Sequence, residues 1–175
     1  MPKGPFLTSE FTPTKFSTDA YKAEFGNHFL LFIESEWAQA LFTKDFYHRL
    51  SCCFGHIAHY DRATFYETWF ASDCDRLRFL EHTLRWPCWG DPGLTFSDVE
   101  RAIQQEIRKR NYLARYELRA AEAVRSGEME TLKRLEAKYR TITSHQSKAD
   151  PAPTIPHAAA QEVARTRMPV QASLF

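Results

Sequence analysis

Between Thr18 and Ile142 apolar residues return every three or four positions, the period of an α-helix that buries one face. Thr18 with the early acid Asp19 marks a helix start, and Tyr21, Phe25, Phe29 and Phe32 carry the pattern toward Trp37 and Leu41. Gly26 and Asn27 are weak helix formers inside that run. A second helix is predicted over Lys44 to His59, with Phe46, Leu50, Cys53, Phe54 and Ile57 on one face. Asp61 is placed to cap a third, bearing Phe65, Tyr66, Trp69 and Phe70; Ser72 or Asp73 caps a fourth, through Leu77, Phe79, Leu80 and Leu84.

The segment Trp86-Pro87-Cys88-Trp89-Gly90-Asp91-Pro92-Gly93 stops the periodicity, because prolines remove backbone donors and glycines permit positive φ. Ser97 with Glu100 then reads as a capping box that opens a long helix to about Arg125, striped by Val99, Ile103, Ile107, Leu113, Tyr116 and Ala120. Ser126-Gly127 punctuates it. A last helix follows over about Glu128 to Ile142, with Met129, Leu132, Leu135 and Tyr139 on one side. These two read as an αα-hairpin over 97–143, packed on the bundle or used for homo-oligomerisation through coiled-coil-like pairing.

A chain of 175 residues that is 43% hydrophobic and 14% aromatic supports one core, rich in Phe, Tyr and Trp. The expected fold is mainly α: a compact aromatic-rich helical bundle with a long C-terminal αα-hairpin and disordered tails. The expected organisation is an extended N-terminal arm over 1–16, in which Phe6, Phe11 and Phe16 are free to pack on the body, and a helical domain over 17–143. A disordered linker over 144–170 and a short peptide over 171–175 follow.

No stretch approaches the roughly 18 apolar residues of a membrane span, and Met-Pro-Lys-Gly-Pro lacks the apolar core of a signal peptide. The expectation is a cytoplasmic protein without membrane contact. Cys52, Cys53, Cys74 and Cys88 are then expected as reduced thiols. The formal charge of +1, from 23 basic and 22 acidic residues, is unlike that of proteins that hold nucleic acid by counterion release. The densest basic run is Arg108-Lys109-Arg110, with Arg115 nearby; it is the best DNA-contact candidate of the body, although interleaved acids favour a solvated face.

From Ser144 onward the chain turns to Ser, Ala, Pro and Gln, with Pro151, Pro153, Pro156 and Pro169, a composition that cannot bury enough apolar surface to offset ordering entropy. Its root-mean-square reach as a flexible linker is about 25 to 30 Å. At its end stand Gln171, Ala172, Ser173, Leu174 and Phe175. Leu174 and Phe175 offer adjacent apolar side chains worth about 3 to 6 kcal/mol in a preformed pocket before ordering costs. Gln171 offers an amide that fixes register at a pocket mouth, and Ser173 is small enough to pass along a groove.

The string QASLF resembles the pentapeptide by which bacterial replication and repair proteins bind the ring-shaped DNA sliding clamp. The resemblance covers five residues. It implies that Gln171 occupies a small subsite while Leu174 and Phe175 enter a hydrophobic one. Ala172 stands where Leu is commoner, which weakens the anchor, and Phe175 carries the terminal carboxylate, which must stay solvated. Such a client reaches DNA indirectly, through the ring, and gains local concentration by its tether. The implied location is the nucleoid and replisome.

One other constellation suggests chemistry. His48, Cys52, His56 and His59 fall within about 80° of one helical face, and imidazole with thiolate at this spacing suits Zn²⁺. One helix cannot bring all four to one ion, since His48 and His59 lie about 16 Å apart in rise; Cys74, His82 or Cys88 would have to complete the set. Packing between helices is the simpler reading, and no cofactor is assigned. No phosphate loop, nucleophile elbow, HExxH or two-metal carboxylate set is present. Tyr66, Trp69, Phe70, Trp86 and Trp89 have the faces to stack bases, but an aromatic core explains them as well.

The sequence therefore points to a non-catalytic adaptor or modulator that binds the sliding clamp in DNA replication or repair of a bacterium or mobile genetic element. A zinc enzyme or sensor on the His/Cys stripe and an oligomerising helical structural protein are the alternatives.

Overall fold

The computed structural model describes residues 4–55 and 61–146, and for 141–146 the backbone alone. Helices make up most of the described chain: α1 (Asp19–Glu34), α2 (Lys44–Phe54), α3 (Arg62–Phe70), α4 (Asp73–Arg85), α5 (Ser97–Lys109) and α6 (Tyr112–Gln146), with short 3₁₀ turns at Thr8–Glu10 and Gln39–Leu41. No strand occurs among the described residues. The chain divides into two units at Glu130/Thr131. The first holds the aromatic core, and the described part of the second is the helical stretch from Thr131.

Helix starts follow local chemistry. Thr18 Oγ1 accepts from the Tyr21 amide at 3.1 Å, Asp61 Oδ1 from the Thr64 amide at 2.9 Å, and Ser72 Oγ from the Asp75 amide at 3.2 Å. Each satisfies a first-turn donor that has no partner within its helix.

α1 lies against α2, α5 and the N-terminal arm, while α5 also meets α2 and α4 and α3 pairs with α4. Phe25, Phe29, Phe32, Phe46, Phe70 and Phe79 are buried at their junction. Their rings meet mostly edge to face: Phe32 and Phe70 lie 5.0 Å apart at 86°, and Phe70 and Phe79 4.8 Å apart at 66°. Edges then meet the negative faces of neighbouring rings, worth about 0.5 to 1.5 kcal/mol per pair beyond area burial.

Four elements depart from the sequence pattern. α1 stops at Glu34, because Glu36 and Trp37 both take left-handed conformations, φ 53° and 62°, which swing the indole of Trp37 into the core. α2 stops at Phe54 instead of His59, capped by left-handed Gly55. A Cβ at Gly55 would lie 2.2 Å from the Trp86 ring, so only glycine fits there.

The expected hairpin turn at Ser126-Gly127 is absent: α6 runs through both residues, and the break falls at Arg110-Asn111, with Asn111 at φ 54°. An exposed glycine costs a helix about 1 kcal/mol, too little to end one flanked by Ala, Glu, Arg, Leu and Lys. Helix α6 also continues past Ser144, where the linker was expected to begin. Finally, Ser97 does not form a capping box with Glu100. The Ser97 hydroxyl donates to the Gly90 carbonyl at 3.0 Å, the Thr95 hydroxyl accepts from the Ser97 amide at 3.3 Å, and Glu100 turns into the core.

The arm is fastened by two of its aromatic side chains. Phe6 and Phe11 are buried and Phe16 is 88% exposed. Asn27 grips Phe6 through both backbone groups, accepting from its amide and donating to its carbonyl at 3.0 Å each. Gly26 lets the Phe6 ring lie on the α1 backbone, where a Cβ would come within 2.7 Å of it. The two weak helix formers in α1 are thus the arm's dock.

Candidate functional site

Among the described residues, those singled out for chemistry do not converge. His48 and Cys52 stand exposed on α2 with Nε2 and Sγ 3.8 Å apart, while His56 and His59 lie outside the described residues. The helix that was to carry all four ends at Phe54. Of the side chains named to complete a metal set, His82 Nε2 lies 3.2 Å from the Phe54 carbonyl, Cys88 Sγ contacts the Trp86 carbonyl at 3.6 Å, and Cys74 is exposed on α4. No group of three or more His, Cys, Asp or Glu able to hold a metal ion occurs among the described residues.

The basic run at the α5–α6 break is engaged by the protein's own groups. Lys109 Nζ lies 2.8 Å from Glu106, Arg110 bridges Glu106 and Glu34, and Arg115 reaches Glu36 at 3.5 Å. Arg108 donates to the Leu84 carbonyl at 3.3 Å. The hydrogen bond from Lys109 and, against partial desolvation, the one from Arg110 hold the Glu106 carboxyl below its ordinary range. Binding DNA here would require exchanging these pairs for phosphate, which reduces the net gain.

Of the aromatic residues proposed for base stacking, Phe70 is buried in the core, and Tyr66, Trp69 and Trp86 are half-buried. Tyr66 donates its hydroxyl to the Trp37 carbonyl at 2.5 Å. Trp89 alone of these is displayed, 77% exposed in the 86–96 loop.

Periodicity hid the buried polar groups that organise this loop. Lys22 is fully buried, and its ammonium donates to the Pro92 and Thr95 carbonyls at 2.8 and 2.9 Å and to the Asp98 carboxylate at 2.9 Å. Gln104 donates to the Thr83 and Trp86 carbonyls at 2.8 Å each. Glu100 lies one turn before Gln104 on α5 and is also buried. Burial, opposed by the Trp86 side chain's hydrogen bond and reinforced by Asp98, raises its carboxyl from 4.5 to about 7. The only advance signal was the loop's own Pro/Gly content, which demands fixed partners for its carbonyls.

A second polar network closes α1 onto α6. Trp37 donates its indole N–H to the Tyr116 hydroxyl, which lies 3.3 Å from Glu36, and Arg119 spans Glu36 at 2.6 Å and Asp73 at 3.1 Å. Against desolvation, the hydrogen bond and charge of Arg119, with the charge of Arg115, keep the Glu36 carboxyl below its ordinary range.

Beyond this network α6 is open. Leu118, Val124, Met129, Leu132, Leu135 and Tyr139 are 42% to 62% exposed. An open groove of about 470 Å³ runs between the arm and α5, edged by Phe6, Phe11, Arg101, Gln105 and Lys109. No described helix is long and apolar enough to cross a membrane. The pentapeptide Gln171 to Phe175 lies outside the described residues. Comparison with protein-family models, curated proteins and solved structures found no match for this chain.

Proposed function

We propose that this protein is a non-catalytic client of the bacterial DNA sliding clamp, acting as an adaptor or modulator in replication or repair. The observation that carries the reading is the string Gln171-Ala172-Ser173-Leu174-Phe175. Its amide, small polar residue and adjacent Leu-Phe pair supply the contacts a two-subsite pocket selects. A linker rich in Pro and Ala separates this anchor from α6, which allows docking without rearranging the helical body. The internal pairing of Lys109, Arg110 and Arg115 supports the same reading, because a body whose cations are occupied benefits from delivery to DNA by a ring.

The test is calorimetric titration of a purified bacterial sliding clamp with the full chain, with a version ending at Val170, and with Leu174→Ala/Phe175→Ala. Binding by the full chain alone supports clamp recruitment. Equal binding by all three, or by none, removes the pentapeptide from the explanation.

A further inference from the structure

The open face of α6 carries a self-complementary pattern. Leu118, Ala121, Arg125, Glu128, Leu132 and Leu135 follow one another at alternating steps of three and four, and all are exposed. That spacing sets them in one seam. The seam lies about 150° around the helix from Tyr116 and Ala120, the buried residues that hold α6 to the body. The body therefore leaves Leu118 to Glu128 accessible.

We propose that this seam pairs with the same seam of a second copy, antiparallel, about a twofold axis between Ser126 and Gly127. In that register Leu118 faces Leu135 of the second copy, Ala121 faces Leu132, and Arg125 faces Glu128. The twofold repeats every layer. At the flank, Glu117 faces Lys138. Large apolar groups thus meet large or small ones, and each charge at the centre meets its opposite.

The charges also reject the alternatives. Parallel pairing stacks Arg125 on Arg125 and Glu128 on Glu128, two like-charge layers at the middle of the contact. Sliding the antiparallel pair by one heptad sets Leu118 against Glu128 in one direction, or Arg125 against Leu135 in the other, burying unpaired charge. One orientation and one register satisfy every position. The contact does not depend on Leu174 and Phe175, so it stands apart from the clamp reading.

Sedimentation equilibrium of the full chain, over concentrations from low to high micromolar, tests the proposal. A reversible monomer–dimer equilibrium is expected. Arg125→Glu and Glu128→Arg each weaken it on the order of tenfold, by replacing opposite with like charges across the axis, and the double variant restores it. Leu132→Asp abolishes it. All three sites are exposed in the single chain, so unchanged circular dichroism confirms that the fold is intact. A monomer at every concentration overturns the proposal, as does a dimer indifferent to Leu132→Asp. Single swaps without rescue in the double variant overturn the antiparallel register.

Discussion

The indole of Trp37 donates a 2.6 Å hydrogen bond to the hydroxyl of Tyr116, a residue 79 positions along the chain. Both side chains are fully buried. The bond joins the strained end of α1 to the first turns of α6, and it explains why the chain holds Glu36 and Trp37 in left-handed conformations that cost about 1 to 2 kcal/mol each. Tyr116→Phe leaves the indole N–H without its acceptor and Glu36 without its phenol. A loss of about 1 to 3 kcal/mol in unfolding free energy is expected, read from urea titration.

Lys22→Met keeps the apolar stem and removes the ammonium. The Pro92 and Thr95 carbonyls then lose a donor, and Asp98, whose side chain is 12% exposed, loses its cation. Breaking such a pair from one side costs about 3 to 5 kcal/mol. Faster amide exchange over 90–98 than over α3 is the accompanying signature, since Lys22 fastens the loop itself.

Glu100 makes stability pH-dependent in a stated direction. Its carboxyl holds a proton to about pH 7 in the folded chain and releases it near 4.5 when unfolded. The stabilisation is complete below the lower value and is lost as pH rises through the upper one. Glu100→Gln stays neutral throughout, so its stability relative to the parent rises from about pH 4 to about pH 8. Denaturation midpoints that stay parallel across this range would remove Glu100 from the account.

Gly26→Ala separates two effects of opposite sign. Alanine favours an exposed helix by about 1 kcal/mol, but here its methyl meets the Phe6 ring. The arm is expected to detach, with earlier proteolysis within residues 4–16 and a lower melting temperature. Faster cleavage with no change in melting temperature would mean that the arm adds nothing to the core.

These side chains show what was legible beforehand. Thr18, Asp61 and Ser72 were readable as caps because each acts on an amide three residues away. The helical class and aromatic core followed from period and composition. Lys22, Glu100 and Gln104 were not readable, since periodicity assigns charged and amide residues to solvent and only tertiary packing turns them inward. Asn111 carries a local signal that the Ser126-Gly127 pair outweighed: asparagine is a weak helix former that tolerates the left-handed conformation, and buried Ile107 and Tyr112 on either side fix the break there. Gly127 misled because a turn residue in a solvated helix costs less than the helix gains around it. For the candidate site, Gln171 to Phe175 was legible as a pattern in the chain alone, whereas the seam from Leu118 to Leu135 needed the unbroken α6 to bring its two halves into one register.

The enclosure of the Lys22 ammonium has a practical corollary. Every bond it makes is to an oxygen of the protein itself, and no part of the side chain meets solvent. Amine-directed reagents will therefore modify surface lysines such as Lys44, Lys109 and Lys133 while sparing Lys22 until the core opens. Its acylation, followed by mass spectrometry, becomes an internal clock for opening of the whole bundle.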